Sequence, residues 1–237
     1  MRTQQDRTIR GYNLHICDAY DCDDGGWPVV EPCHEVPERL ITFCVGSKDR
    51  DGYAHLFLDD YRFERLWNTP ERYIPTLREY KGMIGPDFST YTDMPYPMQA
   101  WNKYRSMALT GWWQRQGVSV VPVLQWSDER SLGFAFEGMP DGGTFCVSTV
   151  GVGRDRAAQR MFQAGIDAAL QAIDMDTLLV YGSWDSFDVH DMVRVVRYPN
   201  DNTQRVKAFE DKRKGIALWA DEEHRVEAHD KAEASQR

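Results

Sequence analysis

Carboxylates follow several short apolar runs of the sequence, at the points where predicted β-strands give way to loops. Asp59 and Asp60 follow one such run, Asp87 follows a second, and Asp185 follows a third. Carboxylates at neighbouring strand ends can act as general acid and base or can bind Mg²⁺. Asp87, Asp59 and Asp185 are therefore predicted to be catalytic, with Asp87 as the central general base or metal-facing group.

Other polar and aromatic side chains occupy the same kind of position. Hydroxyl, amide and carboxylate groups bind polar ligands, and indole rings stack on flat ones. Because the carboxyl ends of parallel strands meet at one edge of a sheet, these side chains are predicted to converge on one rim. The predicted ligand-binding residues are Asp60, Ser89, Gln125, Trp126, Asp128, Ser148, Thr149 and Trp184.

The same residue types also have structural roles at strand ends. Aspartate, serine and asparagine form turns there or cap the following helix. Asp128 can cap a short helix predicted at 128–139, and Asp155 can cap a longer one. The sequence leaves both interpretations open for each rim residue.

The N-terminal segment combines residue types that bind zinc, namely His15, Cys17, Cys22, Cys33 and His34. Zinc sites usually contain pairs of these residues at short, fixed spacings. No Cys-x-x-Cys pair is present, so ordinary loop and core roles compete with a structural zinc site. The cofactor is left unknown, with a divalent metal such as Mg²⁺ favoured over zinc.

Two glycines before the second long predicted helix suggest a loop that binds an anion. Gly151 and Gly153 precede Arg154 and Arg156, and main-chain N–H groups at the start of a helix attract anions. The stretch lacks the lysine and the full glycine spacing of known phosphate-binding loops. A plain strand-to-helix turn is the competing interpretation.

Alternating strands and helices must position these residues. The predicted strands are 40–45, 54–58, 83–84, 118–124, 144–147, 177–181 and 192–198. The predicted helices are 61–67, 71–80, 98–116, 128–139 and 155–173. In the helix at 98–116, Trp101, Tyr104, Ala108 and Trp112 recur near helical spacing and form an aromatic-rich stripe.

This alternation predicts an α/β fold with a mainly parallel sheet of six to seven βα units. An incomplete or distorted, β/α-barrel-like form is preferred, and an open doubly wound sheet is the alternative. Residues 1–37 are predicted to be an irregular N-terminal segment and 38–200 the α/β domain. Residues 201–237 are predicted to be a C-terminal extension that is partly helical or disordered.

Composition restricts the classes of partner. The 237 residues are 42% hydrophobic, which suffices for a packed core, and carry a formal net charge of −9. Proteins that bind duplex DNA usually present a basic face, so the negative net charge disfavours direct binding to duplex DNA. No run approaches the roughly 20 apolar residues of a membrane span, and no secretory signal is seen. A cytoplasmic protein with a small polar ligand or a protein partner is expected.

Several stretches resemble a known family. These are "LFLDDYRFERLW", "GPDFSTYTDMP", "LQWSDERSLGFAFEGMPDGGTFCVSTVGV" and "LLVYGSWDSF", within residues 38–190. Together they resemble domain of unknown function 4417, a family met in bacteriophages, plasmids and other mobile elements. The resemblance implies a mobile-element protein and supplies no activity or catalytic residue.

Two hypotheses of function follow. The first is an enzyme or binding protein whose acidic, aromatic-lined rim accepts a nucleotide or nucleobase-like ligand, with Trp126 and Trp184 stacking on it. The second is a non-catalytic interaction factor, such as an acidic inhibitor of a host nucleic-acid-handling or defence complex. The convergent rim favours the first.

Overall fold

A computed structural model describes residues 11–18 and 21–200 of the chain. The strands are β1 (Leu40–Thr42), β2 (Tyr53–His55), β3 (Gly82–Ile84), β4 (Val120–Val121), β5 (Thr144–Ser148), β6 (Thr177–Tyr181) and β7 (Arg194–Tyr198). The α-helices are α1 (Glu64–Asn68), α2 (Pro70–Leu77), α3 (Tyr96–Arg115) and α4 (Arg156–Ala172). The predicted C-terminal extension, 201–237, lies outside the described residues.

All strand pairs in the two sheets are parallel. One sheet has the order β1-β2-β3-β4 and the other the order β5-β6-β7. A single parallel bridge between Val123 and Cys146 connects the chain after β4 to β5. The predicted α/β class with mainly parallel strands is confirmed.

The connections between strands differ from the prediction. Within the described residues the strands form no closed barrel, and six to seven βα units are not confirmed. Helices occur in three connections: α1 and α2 precede β3, α3 precedes β4, and α4 precedes β6. Neither sheet shows the reversal of strand order that defines a doubly wound sheet.

The two helices that were predicted from a long periodic stripe of apolar residues are present in the structure. The predictions at 98–116 and 155–173 correspond to α3 and α4. The helix predicted at 128–139 was wrong, because only a 3-10 turn at Ser131–Gly133 forms there. None of the helices in the described part of the chain is long and apolar enough to cross a membrane.

Side chains alternate between the two faces of the strands. Ala54 and Met83 pack towards α1–α3, and Leu178 packs towards α4. On the opposite face, buried side chains of both sheets form one apolar cluster. There the rings of His55 in β2 and Tyr181 in β6 lie 4.3 Å apart. The strands are therefore curved enough to bring β2 and β6 into contact.

The N-terminal segment packs against these elements. Ile16 is buried in the core formed by α1–α3. Asn13 donates a 2.6 Å hydrogen bond to the main-chain oxygen of Trp67, and Trp27 stacks on Phe134 at 5.5 Å. The domain boundary at residue 37 stays a prediction.

Candidate functional site

Side chains from three different elements interact at the carboxyl ends of β3 and β4. Asp87, in the loop after β3, accepts a 2.7 Å hydrogen bond from Nε2 of Gln125, which follows β4. Gln125 is buried and also donates to the main-chain oxygen of Phe88 at 3.0 Å. Lys103 of α3 is fully buried and interacts electrostatically with Asp87. Together with two neighbours described below, these residues form the Asp87 cluster: Asp60, Asp87, Ser89, Lys103 and Gln125.

A row of polar side chains on α3 packs against the loop that carries Asp87. Gln99, Lys103, Ser106 and Thr110 recur at helical spacing, and all four are buried. Gln99 donates to two main-chain oxygens of the loop, at 3.0 and 3.2 Å. Oγ of Ser106 accepts a hydrogen bond from the main-chain nitrogen of Phe88 at 3.3 Å. The row therefore fixes the loop and brings Lys103 to Asp87.

Hydrogen bonds of Ser89 hold the loop in place just after Asp87. The main-chain nitrogen and the Oγ of Ser89 donate to the carboxylate of Asp60, with the shortest distance 2.8 Å. Its main-chain oxygen accepts a 2.6 Å hydrogen bond from Asn102. Arg105 supports Asn102 through a 2.8 Å hydrogen bond and lies over the ring of Phe88 at 3.7 Å. Asp60 and Ser89 thus position Asp87 through the backbone.

The surroundings move the pKa values of both central groups towards neutrality. Burial raises the pKa of Asp87 from 3.8 to about 6; the hydrogen bond from Gln125 opposes this, Asp60 adds to it, and Lys103 opposes it. Burial lowers the pKa of Lys103 from 10.5 to about 7, against the attraction of Asp87. Groups with such pKa values exchange protons readily near pH 7, as general acid–base catalysis requires.

Two buried atoms of the Asp87 cluster have no hydrogen-bond partner among the described residues. They are Nζ of Lys103, a donor when protonated, and Oε1 of Gln125, an acceptor. A buried polar group left unpaired costs about 1–3 kcal/mol, and native proteins rarely keep one without a reason. The arrangement can bind a ligand that presents both a hydrogen-bond acceptor and a donor.

The two predicted stacking residues lie against α4. The ring of Trp126 is 5.4 Å from that of Phe162, and its Nε1 donates to the main-chain oxygen of Met161 at 3.2 Å. Trp184 meets the same Phe162 ring edge-on at 5.4 Å. Core packing thus accounts for much of both side chains. Because both are partly exposed, stacking on a ligand stays a prediction.

The close fit between Trp126 and α4 gives a testable prediction. A Cβ atom added at Gly165 would lie 2.0 Å from Cε2 of the Trp126 ring, far inside contact distance. Gly165→Ala is therefore expected to lower the free energy of unfolding by about 1–3 kcal/mol, measured by urea denaturation. Gly133→Ala is the control, since a Cβ at Gly133 meets nothing within 4 Å. Equal stability of the two variants would contradict this packing.

Among the remaining predicted rim residues, Asp128 accepts a 3.2 Å hydrogen bond from Nε2 of Gln99, in the polar row of α3. Asp59 and Asp185 are exposed, and their catalytic roles stay predictions. Asp128 accepts hydrogen bonds from Arg130 at 2.5 Å and from the main-chain nitrogen of Ser131 at 3.2 Å, the role of a turn-forming residue. These contacts hold its pKa at about 2.

Two hydroxyl residues lie at the end of β5: Ser148 is its last residue, and Thr149 follows directly. Oγ of Ser148 accepts a hydrogen bond from the main-chain nitrogen of Val150 at 3.3 Å. Oγ1 of Thr149 is buried without a hydrogen-bond partner among the described residues. It lies against Gly182, where an added Cβ would be 2.1 Å away. Ligand binding by Ser148 and Thr149 stays a prediction.

The start of α4 has a structural explanation. The carboxylate of Asp155 accepts hydrogen bonds from the main-chain nitrogens of Ala157 and Ala158, at 2.7 and 3.4 Å. It thereby caps the helix and places a negative charge where an anion would bind. A plain strand-to-helix turn is therefore the better account of Gly151 and Gly153.

The predicted zinc ligands do not come together. His15 pairs with a glutamate and His34 with an aspartate, both near the surface. The sulfur atoms of Cys17 and Cys22 lie 3.7 Å apart, whereas Cys33 is buried elsewhere. In the described ranges no group of three or more His, Cys, Asp or Glu residues could hold a metal ion.

Lys103 was not among the site residues predicted from the sequence. Its signal was the row of polar residues in α3, from Gln99 through Ser106 to Thr110, whose spacing matches a helix. The predicted aromatic stripe of the same helix, which includes Trp112, lies on a different face. A second, polar stripe in a helix predicted to be buried indicates side chains that serve a site.

Comparisons with known proteins complete the description. The family model described as Domain of unknown function (DUF4417) matches residues 24–199. Gene 1 protein of Mycobacterium phage D29 is 36% identical over 207 residues, covering 85% of this chain and 74% of that protein. Gene 1 protein of Mycobacterium phage L5 is 36% identical over 178 residues, covering 73% of this chain and 77% of that protein. No solved structure matches the chain.

Proposed function

This chain belongs to the DUF4417 family, as its sequence motifs predicted, and from that premise we propose that it is a phage accessory protein that binds a small ligand at the Asp87 cluster. One observation carries the proposal. Nζ of Lys103 is fully buried without a hydrogen-bond partner among the described residues, beside a partly exposed Asp87 at the carboxyl ends of parallel strands. Ligands of parallel α/β proteins gather at such strand ends.

The charges of the cluster favour a neutral ligand that donates hydrogen bonds. The acceptors are the carboxylates of Asp60 and Asp87 and Oε1 of Gln125, which has no partner among the described residues. Lys103 is the single cation of the Asp87 cluster. An anionic group would be repelled by two carboxylates. Nucleobases present N–H donors next to acceptors on one edge, which matches this set. We therefore propose a nucleobase or nucleoside as the ligand class.

Each residue has a distinct role in this proposal. Asp87 accepts a proton or a hydrogen bond from the ligand, and Gln125 orients Asp87 and reads the ligand through Oε1. Tyr61, which follows Asp60, and Tyr91, in the loop after Ser89, are 76% and 59% exposed. Both rings are available to stack on a flat ligand, as Trp126 and Trp184 were predicted to do.

The curvature of the strands supports one further element of the proposal. Contacts such as that between His55 and Tyr181 join β2 to β6 on the face opposite the helices. We infer an open, barrel-like arrangement that directs the carboxyl ends of both sheets towards a common rim. An experimentally determined structure in which the carboxyl ends of β3 and β6 diverge would contradict this arrangement.

A thermal-shift screen tests the ligand class. Nucleobases and nucleosides at a hundredfold excess over their Kd are expected to stabilise the protein by about 2.7 kcal/mol, or several degrees. Nucleotides should stabilise it less, because their phosphate meets Asp60 and Asp87. Asp87→Asn should weaken the shift strongly, since the substitution removes the negative charge and replaces one acceptor oxygen by an NH₂ group that cannot accept a hydrogen bond from the ligand.

The matched control is Asp93→Asn, which removes an exposed carboxylate from the same loop and should leave the shift unchanged. Mg²⁺ belongs in the same screen, alone and with each ligand. The proposal fails if no nucleobase or nucleoside stabilises the wild type. It also fails if Asp87→Asn binds as tightly as the wild type.

Exposed apolar side chains favour a second candidate, the non-catalytic interaction factor. Tyr61, Tyr91, Tyr96 and Met98 are all more than 40% exposed and lie in segments that the Asp60–Ser89 hydrogen bonds join. Large exposed aromatic residues are typical of protein interfaces. Affinity capture from host lysate, at low and at physiological salt, that returns no stoichiometric partner would count against it.

A further inference from the structure

Lys103 differs from the other lysines in the described residues. Lys81 is exposed and forms a 2.6 Å ion pair with Asp51, and Lys48 is exposed. Lys103 is fully buried, and its Nζ makes no hydrogen bond to the described residues. A buried ammonium without hydrogen bonds is strongly disfavoured, so the neutral amine is populated near pH 7, consistent with the pKa of about 7. A neutral amine has a free electron pair.

The neighbours of this amine decide what it can do. Asp87 interacts with it electrostatically, and Asp60 acts on Asp87 in turn. Oε1 of Gln125 is a further acceptor without a partner among the described residues. A set dominated by acceptors is a poor anion-binding site. It does suit an uncharged electrophile, whose reaction with the amine produces N–H and O–H groups that need acceptors.

We propose that Nζ of Lys103 is a nucleophile that forms an imine with the carbonyl group of a small, uncharged aldehyde or ketone. This rests on the proposed function in one respect only, that a ligand reaches Asp87. A desolvated lysine amine is a known form of activated nucleophile. The reaction requires the carbonyl compound to reach Nζ past Asp87, whose side chain is partly exposed.

The chemical step balances without an oxidant or reductant. The electron pair of Nζ forms a bond to the carbonyl carbon, and the carbonyl π electrons move to the oxygen. Asp87 takes one proton from the nitrogen and gives it to that oxygen, which forms a carbinolamine. Asp87 then carries the second proton from the nitrogen to the hydroxyl group, which departs as water and leaves a neutral carbon–nitrogen double bond. Both protons of the amine end in the water, and Asp87 ends in the state in which it began.

Labelling of the full-length protein with 2,4-pentanedione tests this inference. This small, uncharged diketone condenses with a neutral amine, and the product is a conjugated enaminone that absorbs in the near ultraviolet. Peptide mass spectrometry then assigns the modified lysine. At pH 7, Lys103 is expected to react at least about tenfold faster than Lys81. Its rate should reach half its maximum near pH 7.

Variants separate chemistry from folding. Lys81→Met should leave labelling of Lys103 unchanged, and Asp87→Asn should slow labelling of Lys103 without affecting Lys81. Because labelling is resolved by site in the wild type, the test does not depend on the folding of any Lys103 variant. The inference is overturned if Lys81 is modified while Lys103 stays unmodified.

The failure of this inference and that of the proposed function give different results. A nucleobase shift without labelling of Lys103 would overturn the imine while leaving the ligand site in place. Labelling of Lys103 without a nucleobase or nucleoside shift would support the imine and overturn the proposed ligand class.

Discussion

Lys103→Met is expected to raise the free energy of unfolding at pH 7 by a few kcal/mol while abolishing the imine formation proposed for the Asp87 cluster. Lys103 is 0% exposed, and burial lowers its pKa from 10.5 to about 7. The difference corresponds to a cost of at most about 4 kcal/mol at pH 7. Methionine fills a similar space without a charge, and the lost attraction to Asp87 reduces the gain.

The pH dependence identifies the cause of this gain. Between about pH 7 and 10.5 the unfolded chain binds more protons at Lys103 than the folded protein does, so this group makes stability rise with pH. Lys103→Met lacks that contribution. Its advantage over the wild type should therefore be greatest at or below pH 7 and vanish near pH 10.5.

Urea denaturation at several pH values measures both effects. Lys81→Met is the matched control, because Lys81 is exposed and water screens its ion pair with Asp51. A Lys103→Met protein no more stable than the wild type at pH 7 would show that Lys103 is not a buried, destabilising amine. A gain in stability with loss of function is the expected trade-off at a functional site.

Sequence patterns predicted the part of the site that local structure determines. The apolar pair Met83–Ile84 followed by Gly-Pro predicted that a strand ends just before Asp87, and the parallel sheet followed from alternating strands and helices. Gln125 was placed correctly at the next strand end. These inferences needed only strand ends and the rule that parallel strands point the same way.

The rest of the site depends on tertiary packing. Lys103 lies on a helix whose faces are nearly all buried, so periodicity could not show that its side chain reaches the end of β3. Trp126 directly follows Gln125, yet it packs on α4 and not against Asp87. Which side chain at a strand end faces a ligand and which faces a helix is set by contacts distant in sequence.

Asp87→Asn is expected to change how stability depends on pH between about 4 and 6. Burial raises the pKa of Asp87 from 3.8 to about 6, so the folded protein binds more protons there than the unfolded chain. This contribution is fully present below pH 3.8 and is lost as the pH rises through about 6. The substituted asparagine would not titrate, so the variant should gain on the wild type over this range. The gain is at most about 3 kcal/mol, and less because Asp87 is partly exposed.

Asp93→Asn controls for the loss of a carboxylate and should show no such gain. Lys103→Met adds a sharper test, since Lys103 lowers the pKa of Asp87 and its removal should move the transition to higher pH. If the Asp87→Asn and Asp93→Asn curves coincide, Asp87 titrates as an ordinary surface carboxyl and is a poor general base near pH 7. If they separate and Lys103→Met shifts the transition, the two groups are coupled, and a carboxyl that titrates near pH 6 close to an amine that titrates near pH 7 is suited to carry protons to and from a bound ligand.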